Sequence, residues 1–275
     1  MMQVVKSDWS RISVMGLLAR PPPAVAFLSP LKRNARPAAM AGAPSACSSS
    51  PPAGRKLPVL LFDIMDTVVR DPFYEDVPAF FRMPMKELLE QKHPTSWMDF
   101  EKGLIDEVEL ARRFFKDGRP IDLEGLKDCM RRGYSYIDGI EDLLRSLKSG
   151  SYEMHAFTNY PIWYSMIEEK LKISTYLSWT FCSCTTGKRK PAAEFYMEAS
   201  RHLRVDPACC IFIDDRMGNV EAAINAGMKG VLFRDAASLR QDLSLLGVRA
   251  ELFGGDGVED DEPVHVERPH GIEQP

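Results

Sequence analysis

Short apolar runs alternate along the chain with longer stretches in which apolar residues recur at the helical period. "LPVLLFD" (57–63), "YEMHAFT" (152–158), "YLSWTFCS" (176–183), "ACCIFID" (208–214) and "KGVLF" (229–233) read as strands, being apolar runs too short for helices. Helical periodicity appears at 138–150, 161–172, 192–204, 218–228 and 235–247, with Pro161 suited to a first turn and Gly150 and Gly247 suited to stops. Strand and helix therefore alternate, which predicts an α/β fold built on a doubly wound parallel sheet. Only residues 72–137 break the alternation. Their periodic stretches (76–91, 96–105, 107–118 and 123–134) read as helices alone, so a small helical insertion is expected after the first strand, near the C-terminal edge of the sheet.

The chain ends differ from this middle. Residues 1–55 carry seven Lys/Arg against the lone Asp8 and are rich in Ala, Ser and Pro, and their apolar stretch Val25–Leu28 is too short for a secretory signal. That composition suits an organelle transit peptide, a disordered linker being the alternative; it leaves plastid and mitochondrion both open. Residues 251–275 carry eight Asp/Glu against one Arg and lack hydrophobic periodicity, as a solvated acidic tail would. The expected organisation is thus a core of 56–71 and 138–248, a helical cap of 72–137, and flanking segments 1–55 and 249–275.

With 275 residues and 45% hydrophobic content, the chain can bury a substantial core. No apolar run reaches the roughly 18 residues needed to cross a bilayer, and no basic patch interleaved with aromatics suggests a nucleic-acid surface. A small molecule is the expected partner; membrane and nucleic acid are not. The cysteines at 47, 129, 182, 184, 209 and 210 do not form a disulfide framework in a chain this long without a secretory signal. Cys182 with Cys184 and Cys209 with Cys210 lack histidines or further cysteines at zinc-ligand spacing, so buried, strand-borne, reduced thiols are expected.

In open α/β sheets, ligands bind beyond the carboxyl ends of the strands. Those ends carry Asp63, Thr158 and the pair Asp214 and Asp215, and Lys190 in "GKRKP" precedes a helix from which its ammonium could reach the same place. Three carboxylates around one point repel each other unless a cation joins them, and hard oxygen ligands favour Mg²⁺.

"LLFDIMDT", "HAFTN", "GKRKP" and "IFIDDRMGNVEAAINAGM" together resemble the four motifs of the haloacid dehalogenase superfamily, over about residues 57–247. "LLFDIMDT.VRDPFYEDVPAFF", "AFTNYPIWY" and "SWTFCSC..GKRKP" more closely resemble the plant chloroplast flavin mononucleotide (FMN) hydrolases. The resemblance implies the Rossmannoid core with a cap after the first strand, a location in the chloroplast stroma, and Mg²⁺-dependent hydrolysis of FMN to riboflavin and phosphate. It implies Asp63 as nucleophile, Thr158, Asn159 and Lys190 around the phosphoryl group, and Asp63, Asp214, Asp215 and the Met65 backbone carbonyl around the metal.

Met65 departs from the superfamily pattern, which has an acid there to protonate the leaving group. Asp66 is the candidate replacement, and the alternative is that it only hydrogen-bonds the turn. For a flavin ring, Tyr160, Trp163, Tyr164, Phe73, Tyr74, Phe80 and Phe81 are the aromatics in reach of the motifs. Arg216 stands beside the acidic pair, where it binds phosphate or pairs with Asp215. Two further readings stand beside FMN hydrolysis: a phosphatase for another small phosphomonoester, and a weakly active protein that binds a phosphate ligand.

Overall fold

The computed structural model describes residues 57–250. The expected transit segment, nearly all of the acidic tail, and Cys47 lie outside the described residues. Five strands, β1 (Val59–Phe62), β2 (Glu153–Thr158), β3 (Ser178–Cys182), β4 (Cys210–Asp214) and β5 (Lys229–Leu232), form one sheet in the order β3-β2-β1-β4-β5. Every pairing is parallel. β1, with the sequence VLLF, is buried at each position, as a central strand covered on both faces must be. The strand order reverses between β1 and β4, so the crevice that such a sheet offers a ligand opens where those two strands end.

Between β1 and β2 the insertion holds α1 (Asp76–Phe81), α2 (Met85–Gln91), α3 (Ser96–Glu101), α4 (Glu107–Arg113) and α5 (Leu123–Gly133); α6 (Ile140–Ser149) then leads into β2. The periodic stretch 76–91 is not one helix. Arg82 turns left-handed at φ 52°, and Pro84 disfavours a helical Met83 and lacks an amide of its own, so the stretch divides into α1 and α2. Where the chain leaves and rejoins the core, Ile137 N donates to Val68 O (3.0 Å) and Arg70 N to Ser135 O (2.9 Å). With the antiparallel pairing of Val69 and Tyr136, these bonds tie the outgoing and returning chain together.

After β2 come α7 (Tyr164–Leu171), α8 (Ser183–Thr186), α9 (Ala193–Leu203), α10 (Met217–Asn225) and α11 (Ala236–Leu245). Helix α7 starts three residues beyond Pro161, whose carbonyl accepts from Tyr164 N (3.0 Å) in a preliminary turn. On one face of the sheet, Val59, Leu61, Phe157, Phe181 and Phe212 pack against Phe195, Tyr196 and Ala199 of α9 and Ala223 of α10. Each such large side chain contributes about 1.5–3 kcal/mol by leaving water.

Two expectations need correction. Cys182 and Cys210 are buried in strands, but Cys184 sits half-buried in α8 and Cys209 is exposed in a short turn before β4. All the described cysteines are free. Of the aromatics proposed for ring stacking, Tyr160, Trp163 and Phe73 are buried in packing: Trp163 meets Trp97 and Phe100, and Tyr160 shares a hydrogen bond with Tyr134 (2.7 Å). Tyr164 packs on Trp179. Phe80 and Phe81 line a cavity of about 290 Å³ on the insertion, with Phe115 and Arg119, that includes none of the carboxylates considered next.

Candidate active site

The chain leaves β1 through a tight turn that fixes the opening motif. Asp63 N donates to Ile213 O (2.8 Å), which holds the end of β1 against β4; Val68 N and Val69 N both donate to Ile64 O, and Asp66 N donates to Val69 O (2.7 Å). Asp66 adopts φ 57°, a left-handed conformation that Asp tolerates because its short side chain can bond locally. Its Oδ1 accepts the Asp71 amide (3.2 Å). Met65 lies in the same turn, paired in register with Val69.

Three of the strand-end residues meet. Lys190 Nζ lies 2.8 Å from Asp63 Oδ1 and 2.6 Å from Asp214 Oδ2, with only 1% of the lysine side chain exposed. Carboxylate oxygens of Asp63, Asp214 and Asp215 lie within 4.8 Å of one another. Asp214 is held further by Asn219, whose Nδ2 donates to both of its oxygens (3.0 Å each), and by Arg216 N (2.8 Å to Oδ1). Lys190 is placed by Asn159: Lys190 N donates to Asn159 Oδ1 (2.8 Å) and Asn159 Nδ2 donates back to Lys190 O (3.0 Å). Thr158, the last residue of β2, is fully buried, and its Oγ1 has no hydrogen-bond partner.

The electrostatics are those of excess negative charge in a dry place. Burial, opposed by Lys190 and reinforced by Asp214, pushes Asp63 up to about 6. Burial and then the charges of Asp63 and Asp214 raise Asp215 to about 7. For Lys190 burial works against the charge, but Asp214 and Asp63 outweigh it and hold the ammonium above the usual lysine value. One buried ammonium among three carboxylates, with the Arg216 guanidinium only at the edge, 4.0 Å from Asp215, leaves the cluster short of positive charge.

A hard divalent cation fits these residues. The donors are oxygens alone, and Asp215 Oδ1 is buried without a hydrogen-bond partner, a condition that costs a carboxylate free energy unless another group meets it. Thr158 Oγ1, at the end of the neighbouring strand β2, is a second such atom, a hydroxyl able to donate to an anion. The arrangement of a buried carboxylate, an ammonium bridging two acids, and an unsatisfied hydroxyl suits phosphoryl chemistry, in which charge stabilisation does most of the work.

Three residues at the site, Asn219, Glu101 and Arg189, were not expected from the sequence. Asn219 follows the acidic pair by a few residues, close enough to have been found on the facing side of α10. Glu101 and Arg189, joined at 3.0 Å, link the insertion to the lysine loop across a separation no local pattern reveals. Arg216, which the sequence placed beside the acidic pair, sits at its outer side with its Nε 4.0 Å from Asp215 and its guanidinium 3.5 Å from the Tyr74 hydroxyl.

Residues 58–227 match the hydrolase family described as haloacid dehalogenase-like hydrolase. The chain is 66% identical over 198 residues to flavin mononucleotide hydrolase 1 of Arabidopsis thaliana, named as a chloroplast protein, a match covering 72% of this chain and 81% of that protein. It is 26% identical over 175 residues to sesquiterpene phosphatase astK of Aspergillus oryzae, covering 60% of this chain and 86% of the relative. Among solved structures, a haloacid dehalogenase family enzyme of Bacteroides thetaiotaomicron, crystallised with magnesium and inorganic phosphate, superposes with a TM-score of 0.54 at 18% identity, covering 65% of this chain and 95% of the other. That likeness bears on the fold. By the family match and the 66% identity, this chain belongs to the haloacid dehalogenase-like hydrolases.

Proposed function

We propose that the protein is a plastid Mg²⁺-dependent phosphatase that hydrolyses FMN to riboflavin and phosphate, with residues 72–137 as a cap and residues 1–55 as the transit peptide. The observation that carries this reading is the buried Lys190 ammonium between Asp63 and Asp214 in a chain 66% identical to an FMN hydrolase named as chloroplast. Mg²⁺ would be held by Asp63, Asp214, Asp215 and the Met65 carbonyl, and when bound it neutralises charge on the phosphoryl oxygens.

Asp63 attacks phosphorus in line, forming an Oδ–P bond as the bond from phosphorus to the ribityl oxygen breaks. Asp66 delivers a proton to the departing alkoxide. Water then attacks phosphorus of the acyl phosphate, giving a proton back to Asp66 and releasing phosphate with the Asp63 carboxylate restored. Lys190 and Thr158 meet the equatorial oxygens throughout, and Asn159 keeps the Lys190 backbone in place.

A panel of phosphate esters assayed with and without Mg²⁺ tests the substrate. FMN should be among the best esters and EDTA should abolish its hydrolysis. Preference for an isoprenoid or sugar phosphate would replace FMN with another monoester, and phosphate binding without turnover would favour a binding protein. The same panel tests Asp66. Asp66→Asn should lower kcat/KM for FMN by about 10²–10⁴-fold and for p-nitrophenyl phosphate far less, because a phenolate leaves with little protonation. Equal losses on both esters would reduce Asp66 to a turn residue.

The raised carboxyl groups give metal binding a pH signature. Near pH 5 protons occupy Asp63 (about 6) and Asp215 (about 7) and must be displaced by the cation; near pH 8 they are gone. Mg²⁺ should therefore raise the Tm more at the higher pH. In metal-free protein the sign reverses: these groups favour the folded state below their unfolded value of 3.8, and that contribution disappears as pH rises through 6 to 7. A thermal shift with Mg²⁺ that is the same at both pH values would contradict this ligand set.

A further inference from the structure

Helix α3 of the insertion reaches across to the loop that carries Lys190. Glu101, its last residue, keeps only 10% of its side chain exposed. One carboxylate oxygen faces Arg189 at 3.0 Å and the other accepts from Trp97 Nε1 at 2.7 Å. Its backbone carbonyl accepts from Ser183 Oγ at 2.5 Å. Two residues on, Gly103 at φ +68° comes so near the core that a Cβ there would stand 2.5 Å from the Cys184 carbonyl oxygen. The insertion thus grips the segment 183–189 at a side chain, a carbonyl and a glycine.

From the other side, the same segment is held where it ends. Arg189 is followed directly by Lys190, whose backbone amide and carbonyl are both bonded to Asn159 at the end of β2. A buried ion pair is rarely better for stability than an apolar pair of the same size, and its best-attested use is to enforce one geometry. Here the geometry enforced is that of the residue next to the lysine.

We propose that Glu101 is a positioning residue which, by holding Arg189, couples the seating of the helical insertion to the placement of Lys190 Nζ between Asp63 and Asp214. The inference rests on the phosphatase reading for its consequence in turnover. A misplacement of about 1 Å in a positioned group can cost about 10²-fold in rate, so a loosened insertion lowers kcat without touching the reacting atoms.

A double-mutant cycle on the full-length protein tests the coupling. Glu101→Gln, which can still accept the Trp97 bond, Arg189→Met and the double variant are assayed with Mg²⁺ on FMN and p-nitrophenyl phosphate. Each single change should lower kcat by about 10–100-fold, with KM moving much less, and the double variant should be no worse than the poorer single. Arg189→Lys should recover part of the loss. Gly103→Ala pushes the insertion away with all charges intact and should lower kcat in the same way.

The acetylation rate of Lys190 by acetic anhydride, read by mass spectrometry, follows the lysine without reference to activity; it should be low in wild type and higher in Glu101→Gln and Gly103→Ala. If wild type hydrolyses neither ester, the phosphatase reading fails while this rate still decides the coupling. Wild-type kcat in folded Glu101→Gln, single losses that multiply in the double variant, or an unchanged acetylation rate would each overturn the proposal.

Discussion

Asp63→Asn is expected to lower kcat by at least about 10⁴-fold while leaving the protein folded, because an amide cannot form the acyl phosphate on which both half-reactions depend. The fold should tolerate the change. Asn presents an oxygen that can accept from the Ile64 amide, which now bonds Asp63 Oδ1 at 2.7 Å, and from Lys190, which keeps Asp214. Burial raises Asp63 to about 6, so its charge near pH 8 works against the folded state, and a neutral residue relieves repulsion from Asp214 and Asp215. The Tm of the metal-free variant near pH 8 should accordingly be no lower than that of wild type, a case of stability held back for function. Single-turnover kinetics with FMN and thermal melts on the same preparation check both halves. Substantial turnover in pure Asp63→Asn would remove Asp63 from the role of nucleophile.

Lys190→Met should have the largest effect on stability. The substitution leaves Asp63 and Asp214 buried without the ammonium that both contact, and stranding a buried charge in this way costs about 3–5 kcal/mol. The cost depends on pH with a definite sign. Without the ammonium Asp63, already raised to about 6, binds a proton more readily still in the folded state, so the deficit should be greatest near pH 8 and shrink toward pH 5 as it protonates. Urea denaturation of both proteins at the two pH values measures it. A deficit independent of pH would mean that the lysine acts through the packing of its buried aliphatic stem and not through its charge.

The sheet was readable because parallel strands buried on both faces are nearly continuous apolar runs, and each of the five runs contains a strand. Placing Asp63, Thr158 and Asp214 at strand ends followed from the same pattern, since a parallel sheet brings all its carboxyl ends to one edge. Helix α8 escaped because four residues of "SCTT" carry no period, and the division of α1 from α2 turns on one left-handed residue, Arg82. Glu101 was out of reach for another reason. Its partners Ser183 and Arg189 lie 82 and 88 residues away, and nothing in "DFEKG" marks that glutamate from the less buried acids around it. Aromatic residues could not be sorted for a physical cause: a ring able to stack on a ligand and a ring that fills the core look alike in sequence, and Trp163 is the second kind.

The claim that Asp63 carries the phosphoryl group through the reaction is tested most directly by trapping it. Enzyme mixed with phosphorus-labelled FMN and Mg²⁺, quenched in acid within the first turnover and digested, should yield label on the peptide containing Asp63, in an acid-stable, base-labile linkage, and none from Asp63→Asn. Label that never appears on that peptide while phosphate is released in a burst, or label found on another residue, would contradict the account.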